Sequence, residues 1–128
     1  MKITSQTLLL EIQEKFSKIY PGLKLEFYSQ PHLSYESSDQ AEQIDTNITI
    51  EEVSKSTDLT VINFPPHTTV KELEERFENM FGLHVQVFRR SKDLWLQTST
   101  TDDWTLDKQN RKGEESIQPK SLYVRTKY

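Results

Sequence analysis

The sequence predicts an α+β fold, a two-layer sandwich in which a mixed sheet carries two long helices on one face. Three observations predict it. The apolar residues recur at helical spacing in two stretches, and after each the period drops to two. A Gly-Leu pair marks both switches, at Gly22-Leu23 and Gly82-Leu83. The two stretches also match each other, so the sandwich reads as an internal α-β duplication.

The match runs over residues 3–28 and 64–88. At one constant spacing, Thr7, Glu11, Glu14 and Phe16 recur as Thr68, Glu72, Glu75 and Phe77. Leu9, Ile12, Phe16 and Ile19 form an amphipathic stripe that predicts a helix over 6–19. Val70, Leu73, Phe77 and Met80 form the same stripe in the second unit, opened by the capping box Thr69-Val70-Lys71-Glu72. Gly22 and Gly82 are expected to end the two helices in the left-handed conformation. Leu23, Leu25 and Phe27 then alternate with polar residues, as do Leu83, Val85 and Val87, so each helix is followed by a half-buried strand.

The remaining elements fit around these units. Residues 29–47 are rich in Ser, Gln, Asp and Glu and read as a long mobile loop. Thr49-Ile50-Glu51-Glu52 is a second capping box, opening a short helix to about Ser54. Leu59–Phe64 reads as a strand. Ser91-Lys92-Asp93 is a turn that brings Leu94–Thr98 back antiparallel to 83–89 as a hairpin. Asp103 or Thr105 caps a last short helix, and residues 108–128 read as a flexible polar tail, leaving a single α+β domain over 1–107. Two β-α-β units satisfy either a ferredoxin-like or a β-grasp-like strand order.

Bulk properties narrow the function classes. The chain has 128 residues, no cysteine and a net charge of -4. Disulfides, thiolate nucleophiles and Cys-ligated zinc are therefore excluded, and a cytoplasmic setting is expected. The early apolar run Leu8-Leu9-Leu10 is too short for a membrane span. The mild acidic excess gives no bulk attraction to nucleic acid.

Candidate chemistry is thin. Asp102 and Asp103 are adjacent carboxylates, a pair that suits acid-base work, but neighbours in sequence rarely converge on one substrate and Asp before a helix is a common N-cap. His32, His67 and His84 match no metal spacing. No catalytic residue, cofactor or metal is expected, and the chain is not expected to be an enzyme. Arg89, Arg90 and Lys92 form a basic cluster at the hairpin turn, suited to a weak anion contact.

Strand parity supplies the sharpest feature. If Leu83, Val85, Val87, Leu94 and Leu96 face the helices, the opposite face carries His84, Phe88 and Trp95, with Tyr28 as the repeat equivalent of Phe88. An aromatic patch on an open sheet face, unless Trp104 or Tyr123 folds back to cover it, is a recognition surface. Tyr28, His84, Phe88 and Trp95 are thus the expected partner-binding residues, the partner being another protein and the chain a monomer or weak homodimer. A single-stranded nucleic acid stacking on Phe88 and Trp95 beside Arg89 and Arg90 is the second expectation.

The stretch Gly82-Leu83-His84-Val85-Gln86-Val87-Phe88-Arg89, with Leu94-Trp95-Leu96 and Asp102-Asp103-Trp104-Thr105-Leu106, resembles one shared by a family of small uncharacterised bacterial proteins. The resemblance implies a bacterial cytosolic protein and carries no site residue across.

Overall fold

The computed structural model describes residues 1–29, 38–54 and 60–118. Its elements follow the chain as β1 (Lys2–Ile3), α1 (Leu9–Ile19), β2 (Leu23–Tyr28), α2 (Ile50–Val53), β3 (Thr60–Val61), α3 (Val70–Phe81), β4 (His84–Ser91), β5 (Leu94–Gln97) and α4 (Leu106–Ser116). This is an α+β fold. None of the described helices is long and apolar enough to cross a membrane.

Both units fold as their periods predict. The Thr69 hydroxyl accepts from the Glu72 amide at 3.1 Å, and the Glu11 carboxylate accepts from the Leu8 amide at 3.0 Å, so α3 and α1 start with satisfied donors. Leu9, Ile12 and Phe16 are buried from α1, and Val70, Leu73, Phe77 and Phe81 from α3. They pack on Leu23, Leu25 and Phe27 of β2 and on Leu83, Val85 and Val87 at β4. Phe77 meets Phe27 edge-on at 6.0 Å between ring centroids, and Phe16 meets Phe64 at 5.3 Å. Ile19, expected on the stripe, is exposed at 42% because α1 ends there.

The sheet differs from the expectation. Its order is β2-β4-β5, and every pairing is antiparallel. The expected mixed sheet needed the strand before α3 to return beside its neighbours. Instead β3 pairs with β1 in a separate two-stranded ribbon, so among the described residues the parallel neighbours of a ferredoxin-like or β-grasp-like order do not form. Leu59, the expected start of that strand, lies outside the described residues.

Among the described residues three helices rather than two cover one face, α1 on β2 and both α3 and α4 on β4. The boundary expected at 107 is therefore corrected, since α4 runs to Ser116 through the start of the supposed tail. Its buried positions are Leu106, Gln109 and Gly113. Gly22 explains how it seats. A Cβ on Gly22 would lie 2.6 Å from the Asn110 carbonyl oxygen, and one on Gly113 would lie 2.4 Å from the Gly22 carbonyl oxygen. Only paired glycines let these backbones touch. Of the two Gly-Leu joints, Gly82 alone takes the left-handed cap, at φ 67°. Gly22 serves close approach instead.

The two units are tied to the rest of the chain by matching backbone bonds. Leu9 N donates to Ile48 O at 3.0 Å and Val70 N to Trp104 O at 3.0 Å, while Leu10 N donates to Thr46 O at 2.9 Å and Lys71 N to Asp102 O at 2.8 Å. In return, Ile50 N donates to Thr7 O and Leu106 N to Thr68 O, both at 2.8 Å, and Glu51 N to Ser5 O at 3.0 Å and Asp107 N to Pro66 O at 3.1 Å. Each bond of the first set maps onto its counterpart at one constant spacing on each side.

Candidate functional site at the hairpin end of the sheet

Register decides which side chains share the face away from the helices. Opposite residues of an antiparallel pair point to the same side. Tyr28 pairs with His84, Glu26 with Gln86 and Lys24 with Phe88, while Phe88 pairs with Gln97 and Arg90 with Trp95. The structure thus brings Tyr28, His84, Phe88 and Trp95 to one face. It adds Lys24 between them, which parity within one strand could not reveal because the β2–β4 register was unknown.

This face is not fully open. Residues 38–43, inside the loop expected over 29–47, form a strap across it. The Ser38 amide donates to Gln97 Oε1 at 2.7 Å, Gln97 Nε2 donates to the Ser38 carbonyl at 3.0 Å, and the Ser38 hydroxyl donates to Gln86 Oε1 at 3.1 Å. At the far side, Gln43 Nε2 donates to Glu26 Oε2 at 2.8 Å. Ser29 N then donates to Glu42 O and Ile44 N to Phe27 O, both at 2.8 Å, so residues 42–44 close the outer edge of β2. Residues 30–37 and His32 among them lie outside the described residues.

The strap splits the expected patch. Tyr28 is only 2% exposed, so it is a buried residue and not a contact surface. Burial, with Glu26 nearby as the lesser cause, pushes its phenol up to about 12. His84 is half-buried. Of the two expected covers, Trp104 lies with Arg89 and Lys108 instead, and Tyr123 lies outside the described residues.

Between the strap and the hairpin tip an opening of about 220 Å³ remains, lined by Lys24, Glu26, Tyr28, Gln40, Gln43, Phe88, Trp95 and Gln97. The Lys24 ammonium stands 5.0 Å from the Phe88 ring centroid, 5.2 Å from that of Trp95, and 3.7 Å from Glu26 Oε1. The Arg90 guanidinium carbon lies 5.4 Å from the Trp95 ring, and Arg90 Nε donates to Lys92 O at 2.5 Å. Cations and rings therefore alternate along the groove, each cation facing the negative face of a ring.

Other expectations are corrected. Arg89 does not join Arg90 and Lys92, because it alternates to the helix face, where its Nη1 donates to Gln109 Oε1 at 2.9 Å and it stacks on Trp104 at 5.4 Å. Lys92, at φ 57°, sits exposed at the tip, its amide held by Ser116 Oγ at 3.0 Å. Leu94 and Leu96 have the expected parity, yet they are 61% and 42% exposed because the helices do not extend over the edge strand. Neither aspartate caps α4. Thr105 does, accepting from the Lys108 amide at 3.1 Å. Asp102 is 1% exposed, its carbonyl caps α3, and its Oδ1 has no hydrogen-bond partner among the described residues. Among the described residues no three His, Asp or Glu side chains gather as a metal site requires.

Comparison of the chain with protein-family models, with curated proteins and with solved structures finds no match.

Proposed function

We propose that this chain is a non-catalytic protein-binding or regulatory module whose partner docks in the groove at the hairpin end of the sheet. One observation carries the reading. Phe88 and Trp95 stand half-buried at the groove with Lys24 between them and Arg90 on the outer ring, so their rotamers are already restrained before a partner arrives. Aromatic anchors held in place lose little freedom on binding and contribute much of the energy of an interface. The stretch that resembles the bacterial family includes the residues that build this hairpin.

The test is the double change Phe88→Ser with Trp95→Ser. Its circular dichroism and melting point are expected to stay close to wild type, while capture of the partner isolated with the wild-type chain is lost. Trp95→Ser alone is expected to weaken binding by roughly 2 kcal/mol or more. Unfolding of the double variant would make these aromatics part of the core and overturn the reading. The single-stranded nucleic-acid alternative keeps Phe88, Trp95 and Arg90, but Arg89 faces the helices and the net charge of -4 opposes it. Salt-dependent binding of a short RNA would favour that alternative.

We also read the two helix–strand units as copies of one ancestral element. The matched apolar positions and the recurring backbone bonds around each helix start support it.

A further inference from the structure

The groove uses one face of the hairpin, but the outer edge of β5 is a separate surface with its own chemistry. Arg90 N donates to Gly22 O at 2.9 Å, so the backbone of Arg90 serves β2. Thr98 N donates to Val87 O at 3.2 Å, so Val87 serves the β5 side. In an antiparallel ladder these directions alternate. Leu94, Leu96 and Thr98 therefore turn their backbone groups toward β4, and Trp95 and Gln97 turn theirs to the open edge. Among the described residues the N–H and C=O groups of Trp95 and Gln97 have no partner. The edge also lacks the usual protections, for Leu94-Trp95-Leu96-Gln97 holds no charge and no proline, and its two leucines are exposed.

We infer that a second copy of this chain pairs with β5, strand against strand, across a two-fold axis at Leu96. The edge is its own complement. With the axis at Leu96, Trp95 of one copy lies opposite Gln97 of the other. Each open N–H then meets an open C=O, and no open group of either copy is left over. Leu96 faces Leu96 of the partner copy in the wide-spaced pair, where side chains approach most closely. Leu94 lies diagonal to it, so the exposed apolar surface on the helix side is covered by the same residues of the other chain.

The geometry leaves room. Adjacent strands stand about 4.8 Å apart, which separates the two β4 strands of such a dimer by about 14 Å. That exceeds the roughly 10 Å diameter of a helix, so the two α4 helices do not collide, and the leucines fill the trough between them. The strap does not obstruct the edge, because Ser38 reaches Gln97 through its side chain on the groove face. The short strand makes a small interface, so the dimer is expected to be weak and concentration-dependent. Pairing in this way joins the two sheets into one and sets the two grooves side by side on one surface.

Sedimentation and amide exchange of the full chain over a dilution series test this. The wild type is expected to pass from dimer to monomer on dilution, with exchange at Trp95 and Gln97 slowed only in the dimer. Leu96→Arg places like charges against each other at the axis and is expected to weaken association at least about tenfold with an unchanged melting point, since Leu96 is exposed. Leu94→Glu, at a second exposed position, is expected to weaken it as well. Phe88→Ser, in the groove, is expected to leave the dimer intact, which separates this inference from the groove reading. A wild type that stays monomeric at high concentration, an unprotected β5 edge in the dimer, or Leu96→Arg and Leu94→Glu variants that associate like wild type would each overturn it.

Discussion

The first helix–strand unit and the second begin alike and end differently. In both, a capped helix lays a buried stripe of Leu, Ile, Val and Phe on the strand that follows it. After β2, residues 42–44 pair along the outer edge and close it. After β4, a two-residue turn returns the chain as β5, whose outer edge pairs with no strand among the described residues. The two aromatics at the groove show the consequence, since Tyr28 is buried at 2% exposure while Phe88 is half-buried. Shared positions build the core, and the candidate surfaces arise where the units part.

The core side of this comparison should break evenly. Phe16→Ala and Phe77→Ala each empty a fully buried aromatic site and are expected to cost about 3–5 kcal/mol by urea titration. A loss below about 1 kcal/mol at one of them would show that the units do not share a core position. The glycines should break unevenly. Gly113→Ala drives a methyl into the Gly22 carbonyl and is expected to cost about 1–3 kcal/mol, the range for overpacking. Gly82→Ala meets no neighbour and pays only for its positive φ, about 1–2 kcal/mol. The difference between them is read from melting curves. If Gly113→Ala is neutral, α4 is not seated on β2 as described.

The aromatics sharpen the comparison through pH. Folding raises the Tyr28 phenol from 10.0 to about 12, so the folded chain holds its proton more tightly than the unfolded chain. The stability that comes from keeping this phenol neutral is present in full below pH 10.0 and is lost as the pH climbs from there toward about 12. Ultraviolet titration of phenolate should show a late-ionising tyrosine that disappears in Tyr28→Phe. Tyr20, also raised by burial and then by Asp107, remains in that variant as an internal reference. An unchanged titration in Tyr28→Phe would show that the strap does not seal this side of the sheet.

Much of the fold was legible because periodicity reports burial. The helices α1 and α3, the strands after them and the hairpin all follow from apolar spacing, and parity alone set Phe88 and Trp95 on the face away from the helices. What stayed hidden is held by other forces. Helix α4 presents Leu106, Gln109 and Gly113 to the sheet, a face with one large apolar residue that an apolar stripe search passes over. The sequence predicts only a short helix there with a polar tail from 108, so nothing local separates Arg89 from Arg90, although Gln109 and Trp104 hold it on the other side. The strap is tied by Ser38, Gln43 and Gln97, polar residues that read as a solvated loop when their partners are unknown. Lys24 enters the groove only through the β2–β4 register, a long-range fact with no local signature.

The contact between Gly22 and Gly113 also bears on the order in which the chain becomes a protein. The Gly22 amide donates to Asn110 Oδ1 at 2.7 Å, across 88 residues of sequence. During synthesis the first helix and strand emerge early, but β2 then lacks both the strand beside it and the helix that presses on Gly22 just before it. Contacts this distant in sequence are slow to form because the loop between them must close first. The packing of Gly22 against α4 can therefore close only once residues 106–116 have been made. A chain stopped before residue 106 keeps α1 and α3 over the sheet but leaves Gly22 and the α4 side of β4 uncovered.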